Sequence, residues 1–311
     1  MDNTIPEDST RLVTVGSPGD ADARAIVDCL ARDLVVLVRG ASADDADRIT
    51  AGVAATLGLS ESLELQAGLA SMGNRVRVGR YFMTVNRRAD YQIVTPHSEG
   101  SSFVAMQLAA FYCYENSTDG GETILMNVDG EAPAWQRLRE RVRRGKTSRT
   151  LTRGDAARAR WMYQLDLPAD ALQEDDIVLG EERAEIDGLT LVDVLARPQM
   201  RRSLIRGLEF HAYWDSIDGA DFDSIAHYAQ WLRHWGLLRE PREGGDIRRL
   251  DSDAERRVWS SGADYTGLFR CRVTRKLEAG DLVLQNNMSW THAVANWSPA
   301  SGVRKVVAAF A

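Results

Sequence analysis

Two histidines and one carboxylate are the residues of this chain best suited to metal chemistry. His97 and Glu99 stand two residues apart in Pro96-His97-Ser98-Glu99-Gly100, and His292 follows far along the chain in Trp290-Thr291-His292-Ala293. Two imidazoles and a carboxylate on one face of a divalent metal leave three octahedral positions open, which non-haem iron uses for dioxygen and a second ligand. A His-x-Glu pair alone is common by chance, and a loop histidine satisfied by hydrogen bonds is its plain alternative. Here both histidines lie next to β-like runs, and a lone arginine, Arg304, opens the last apolar run of the chain. A guanidinium on a strand bound for the core needs an anion, because an unpaired buried charge is very costly. A carboxylate taken by both arms of the fork is its best match. The anion is either a protein carboxylate in a structural ion pair or a bound ligand.

These residues need strands to bring them together. Val76–Val85, Gln92–Thr95, Phe103–Tyr114 and Thr123–Asn127 are short β-rich runs separated by Gly, Pro, Asp or Ser. Gly267–Val273, Asp281–Gln285 and Val303–Phe310 form a second β-rich group. Strand groups so far apart must pair in space, and a double-sheet jelly-roll barrel satisfies that need. Between them, Ala132–Ala254 is charged and mostly helical in pattern, and its run Arg137–Arg144 (RLRERVRR) reads as the polar face of an amphipathic helix. Ahead of them, Ala21–Arg32 predicts a helix, Leu34–Val38 a buried strand, and Asp44–Leu57 a second helix, after a loose leader of about twenty residues. The expected fold is mainly β with helical insertions: a double-stranded β-helix (jelly-roll) core flanked by helices. It forms one domain over 1–311, with core strands at about 76–130 and 262–311 and a helical insertion or lid at about 131–261.

Bulk properties narrow the function classes. A net charge of −7 argues against a phosphate-binding surface, so nucleic acid is not an expected partner. Cys29, Cys113 and Cys271 are widely spaced and show no disulfide or zinc-knuckle pattern. The N-terminus MDNTIPEDST lacks a signal-peptide layout, and no apolar run approaches the ~20 residues of a membrane span. A cytoplasmic protein acting on a small molecule is expected. His227 and His234, with Trp231 and Trp235 beside them, share a helical face and read as a packing stripe or lid surface, not as ligands.

From His97 to Arg304 the chain resembles the taurine dioxygenase/TfdA-like (clavaminate synthase-like) branch of the Fe(II)/2-oxoglutarate-dependent oxygenases. The matching pieces are Pro96-His97-Ser98-Glu99-Gly100, the turn Asp119-Gly120-Gly121-Glu122-Thr123-Ile124-Leu125, and Gly280–Ala293 (GDLVLQNNMSWTHA). The resemblance implies that His97, Glu99 and His292 hold Fe(II), and that Thr123 and Arg304 bind the C5 carboxylate of 2-oxoglutarate. It further implies O₂ as co-reactant and hydroxylation as the default outcome, with desaturation, epoxidation or ring closure as relatives. Halogenases of this class lack the carboxylate ligand, so Glu99 points away from halogenation. Three positions depart from the commonest pattern. Glu99 replaces Asp, Gln285-Asn286-Asn287-Met288 replaces Trp-Asp-Asn-Arg, and Ala308 stands where taurine dioxygenase-like enzymes carry a sulfonate-gripping arginine. Small sulfonates are therefore poor substrate candidates. By position, Asn86, Arg87 and Arg88 ahead of the first ligand, and His211 and Trp214 in the insertion, are candidate substrate contacts. The rival readings are a barrel-fold binding or sensing protein without turnover and a modifier of macromolecules.

Overall fold

A computed structural model describes residues 5–69, 75–85, 94–99, 106–133, 138–196, 224–240, 258–260 and 265–311. In chain order the first elements are β1 (Leu12–Val15), α1 (Ala23–Ala31), β2 (Val35–Val38), α2 (Ala43–Thr56), α3 (Ser60–Leu69), β3 (Arg77–Val78) and β4 (Phe82–Thr84). Then come β5 (Val94–His97), β6 (Leu108–Asn116), β7 (Thr123–Val128), β8 (Leu138–Thr147), α4 (Arg153–Tyr163), β9 (Ile177–Arg183) and β10 (Leu189–Ala196). The last are α5 (Ser224–His234), β11 (Val258–Ser260), β12 (Phe269–Arg275), β13 (Leu282–Asn286), β14 (Trp290–Val294) and β15 (Arg304–Phe310). Among the described residues, no helix is long and apolar enough to cross a membrane.

Two sheets build the part that carries the site. A seven-stranded sheet runs β1-β2-β13-β6-β15-β4-β3, and a four-stranded sheet runs β12-β7-β14-β5. β4 and β6 belong to the first and β5 and β7 to the second; β13 and β15 return to the first, and β12 and β14 to the second. Each sheet is thus filled from both ends of the chain.

Side chains alternate between two cores, as the period of a strand dictates. Leu108, Ala110 and Tyr112 of β6 and Val307 and Ala309 of β15 pack outward against Ile26, Leu30, Ile49, Val53 and Leu63 of the three N-terminal helices. Ala109, Phe111 and Cys113, with Val306, Ala308 and Phe310, face inward against Leu125 of β7, Val273 of β12 and Trp290 of β14. Strands buried on both faces read as continuous apolar runs, and β6 (LAAFYCYEN) does. α2 begins with a complete capping box, in which the Ser42 hydroxyl accepts from the Asp45 N–H and the Asp45 carboxylate accepts from the Ser42 N–H. All three cysteines are free.

Two expectations are corrected. Residues 5–20 are not a loose leader. β1 pairs in parallel with β2, Ile5 is buried, and Glu7 receives bonds from the Arg272 guanidinium and the Thr274 N–H and hydroxyl. The described part of the insertion is not mostly helical either; it carries a four-stranded sheet, β11-β8-β10-β9, in which RLRERVRR lies mainly in β8. Cross-strand charge explains the strand. Arg143 faces Asp193 of β10 in register with an ion pair of 3.0 Å, and Lys146 reaches Glu181 of β9 at 3.1 Å. Arg144 turns inward to Asp176 at 3.2 Å, and both side chains are almost wholly buried. Such pairs stabilise a strand as i,i+4 pairs stabilise a helix.

Candidate metal centre

β5 and β14 are neighbours at one edge of the four-stranded sheet, and their register sets His97 directly opposite His292. The two imidazoles lie with ring centroids 4.3 Å apart. β5 is the edge strand, which accommodates Pro96 without losing a needed ladder bond. Glu99 sits two residues beyond the end of β5 and returns its carboxylate to the same place. One ligand atom from each of His97, Glu99 and His292 lies within 4.8 Å of the other two. Two ring nitrogens and a carboxylate oxygen at that spacing fit a divalent transition metal with vacant positions. β14 is a strand of its own that the sequence did not announce, so His292 lies within a ladder and not past the end of one.

The surroundings of the triad are apolar on one side and ionic on the other. The Phe111 ring lies 4.7 Å from the His292 ring, and Phe310 stacks on His292 at 6.2 Å. Ala308 is buried in that same inward-facing core, close to Met83, its cross-strand neighbour in β4. On the other side the Arg75 guanidinium meets Glu99 Oε1 at 3.3 Å.

Thr123 and Arg304 form a second cluster. β7 pairs with β14 so that Leu125 opposes His292 and Thr123 opposes Val294, two positions along the same face. Arg304, the first residue of β15, donates from Nη2 to the Thr123 hydroxyl at 3.2 Å and from Nε to the Gly121 carbonyl at 3.0 Å. Gly121 has φ +72°, and a Cβ there would come within 2.8 Å of Arg304 Cδ, so only glycine lets the turn and the arginine lie this close. The alternative of a structural ion pair for Arg304 finds no support. Among the described residues no carboxylate lies within 4.0 Å of its guanidinium, although Arg304 is only part-exposed. Desolvation pulls its pKa down to about 10 against opposing pulls from Cys113 and Glu122. The N–H groups of the fork that bond to none of the described residues suit a carboxylate.

The Asp119–Thr123 turn is also tied to the insertion. Arg239, shortly after α5, donates to the Asp119 carbonyl through Nε and Nη2 and pairs with the Glu122 carboxylate at 3.0 Å. Its main-chain N–H and C=O are both bonded to the Asn296 side chain at 2.8 Å.

The five candidate substrate contacts Asn86, Arg87, Arg88, His211 and Trp214 lie outside the described residues. α5 spans His227 and His234, as their spacing predicts. Arg75, Arg239 and Asn287 carry no local sequence signal that marks them as part of the site. Asn287 was visible only as part of the unusual Gln-Asn-Asn-Met stretch, and its contacts are long-range.

No family model matches the chain, and no curated protein matches it. Solved structures similar to it include PvcB from Pseudomonas aeruginosa, at 12% identity and a TM-score of 0.38 over 96% of this chain and 84% of that one. A second PvcB structure, described as an Fe, alpha-ketoglutarate dependent oxygenase from an isonitrile synthetic pathway, is 11% identical, with a TM-score of 0.39 over 96% and 84% of the two chains. AAD-2 in complex with Mn(II) and N-oxalylglycine is 10% identical, with a TM-score of 0.37 over 99% of this chain and 96% of that one. Likeness at this level assigns no function.

Proposed function

We propose that the chain is an Fe(II)/2-oxoglutarate-dependent oxygenase that hydroxylates a small polar molecule, such as an amino acid or a natural-product intermediate. The observation that carries the reading is the convergence of His97, Glu99 and His292 within 4.8 Å. The alternation of the eight strands β4–β7 and β12–β15 between two facing sheets supports a double-stranded β-helix core, and one domain built from both ends of the chain.

On this reading His97, Glu99 and His292 hold the metal, which supplies activation of O₂ and of the 2-oxo acid. The balanced reaction is R–H + O₂ + 2-oxoglutarate → R–OH + CO₂ + succinate. Arg304 and Thr123 hold the far carboxylate of 2-oxoglutarate, with Arg304 fixed by Gly121 so that its free donors stay aimed. A carboxylate there also compensates the desolvated guanidinium. Phe111, Phe310 and Leu125 keep water from the imidazole side, so that the oxidising chemistry meets substrate instead of solvent. Ala308 leaves that wall without a cation, in keeping with a substrate other than a small sulfonate.

The test is decarboxylation of 2-oxoglutarate labelled at C1. Protein with Fe(II) under O₂ releases labelled CO₂ and an equal amount of succinate, and His292→Ala falls to the protein-free background. Equal release by parent and His292→Ala rejects the reading.

A further inference from the structure

We infer that Asn287 is a positioning residue of the metal centre, fixing the main chain of Glu99 and through it the direction of the Glu99 carboxylate. This rests on the metal-site reading above. His97 and His292 are set by the β5–β14 ladder, but Glu99 lies past the end of β5, where no ladder partner remains for its peptide groups. Buried main-chain donors and acceptors must be satisfied by something. Asn287, wholly buried just after β13, does this. Its Oδ1 accepts from the Glu99 N–H at 3.2 Å, and its Nδ2 donates to the Glu99 carbonyl at 2.8 Å. The same Nδ2 donates to the Met106 carbonyl at 2.8 Å, and the Asn287 N–H donates to the Gln107 carbonyl at 2.7 Å.

One amide therefore grips both peptide groups of the carboxylate ligand and joins the residues on either side of 100–105. An amide side chain has two N–H donors and one acceptor oxygen, and all are spent on main-chain partners. Asp would aim lone pairs at two carbonyls, and Leu would take the partner from three part-buried polar groups. The metal ligands thus have two kinds of support: sheet register for the histidines, a buried side chain for the glutamate. Loss of a partner that orients a ligand typically weakens metal binding by about 10–100-fold.

The experiment is Mn(II) titration of the full chain, followed by electron paramagnetic resonance of free Mn(II), with far-UV circular dichroism as the fold control. The parent binds one Mn(II) and His97→Ala does not. Asn287→Ala, and Asn287→Ser where a water can replace the lost amide, keep the parental dichroism and bind Mn(II) about 10–100-fold more weakly. Either variant, folded and binding Mn(II) as tightly as the parent, overturns the inference while leaving the metal site intact. Absence of saturable binding by the parent, or equal binding by His97→Ala, overturns the metal reading and this inference with it. Amide hydrogen exchange in the unaltered, metal-free chain decides the matter even if neither variant folds. The Glu99 N–H is protected if the clamp exists, and exchange at the rate of an open loop overturns it.

Discussion

Arg304 shows what a single residue adds to a candidate metal site. Its guanidinium is desolvated and bonded to two neutral oxygens, and among the described residues it lacks a carboxylate partner. Arg304→Met is therefore expected to weaken 2-oxoglutarate binding to the Mn(II) form by at least about tenfold, as loss of a charge-assisted pair implies. Mn(II) affinity itself should stay at the parental value, and calorimetric titration separates the two. The pH dependence has a definite sign. Only the charged guanidinium attracts a carboxylate, and burial brings its pKa to about 10 in the free protein. The contribution of Arg304 to 2-oxoglutarate affinity is therefore constant below that value and starts to be lost as pH rises through it, where an ordinary arginine would hold its charge to ~12.5. Among the residues, His97, Glu99, His292 and Arg304 are legible from type and position and Thr123 only through the family resemblance, and the structure brings the five into two adjoining clusters. Asn287 was not chosen, because a buried asparagine is recognised by what it bonds, and its partners lie nearly the whole chain away.

Elements were less legible where charge outweighed apolar periodicity. β2, β6, β7, β12, β13 and β15 stand out as β-branched or apolar runs, and α1 and α2 as amphipathic stretches. RLRERVRR has both the charge of a solvated helix and the alternation of a strand. The decision comes from Asp193, Asp176 and Glu181, which a local window does not contain. The buried Arg144–Asp176 pair is the test of this part of the fold. Arg144→Met leaves Asp176 charged and buried, and removing one partner of such a pair costs about 3–5 kcal/mol. Protease is expected to cut within 138–196 under conditions where the parent resists, while the two-sheet core remains intact; an unchanged cleavage pattern would show that the pair is dispensable. β14 escaped notice for a different reason. It is five residues long and carries Thr and His beside Trp and Val, too short for its alternation to register.

The whole molecule explains why the triad spans so much chain. β5 comes from the first strand group and β14 from the second, with the insertion sheet, α4 and α5 between them in sequence. The site exists only when the two groups interleave, and Arg239 then ties the insertion to the turn that supports Arg304. On the function proposed above, this assembly holds iron and chelated 2-oxoglutarate together. Anaerobic addition of Fe(II) and 2-oxoglutarate tests it most directly, through the visible metal-to-ligand charge-transfer band of the chelate. The expected result is a weak band that saturates at one iron per chain and is absent from His97→Ala. No band in the parent, or an undiminished band in His97→Ala, would contradict it.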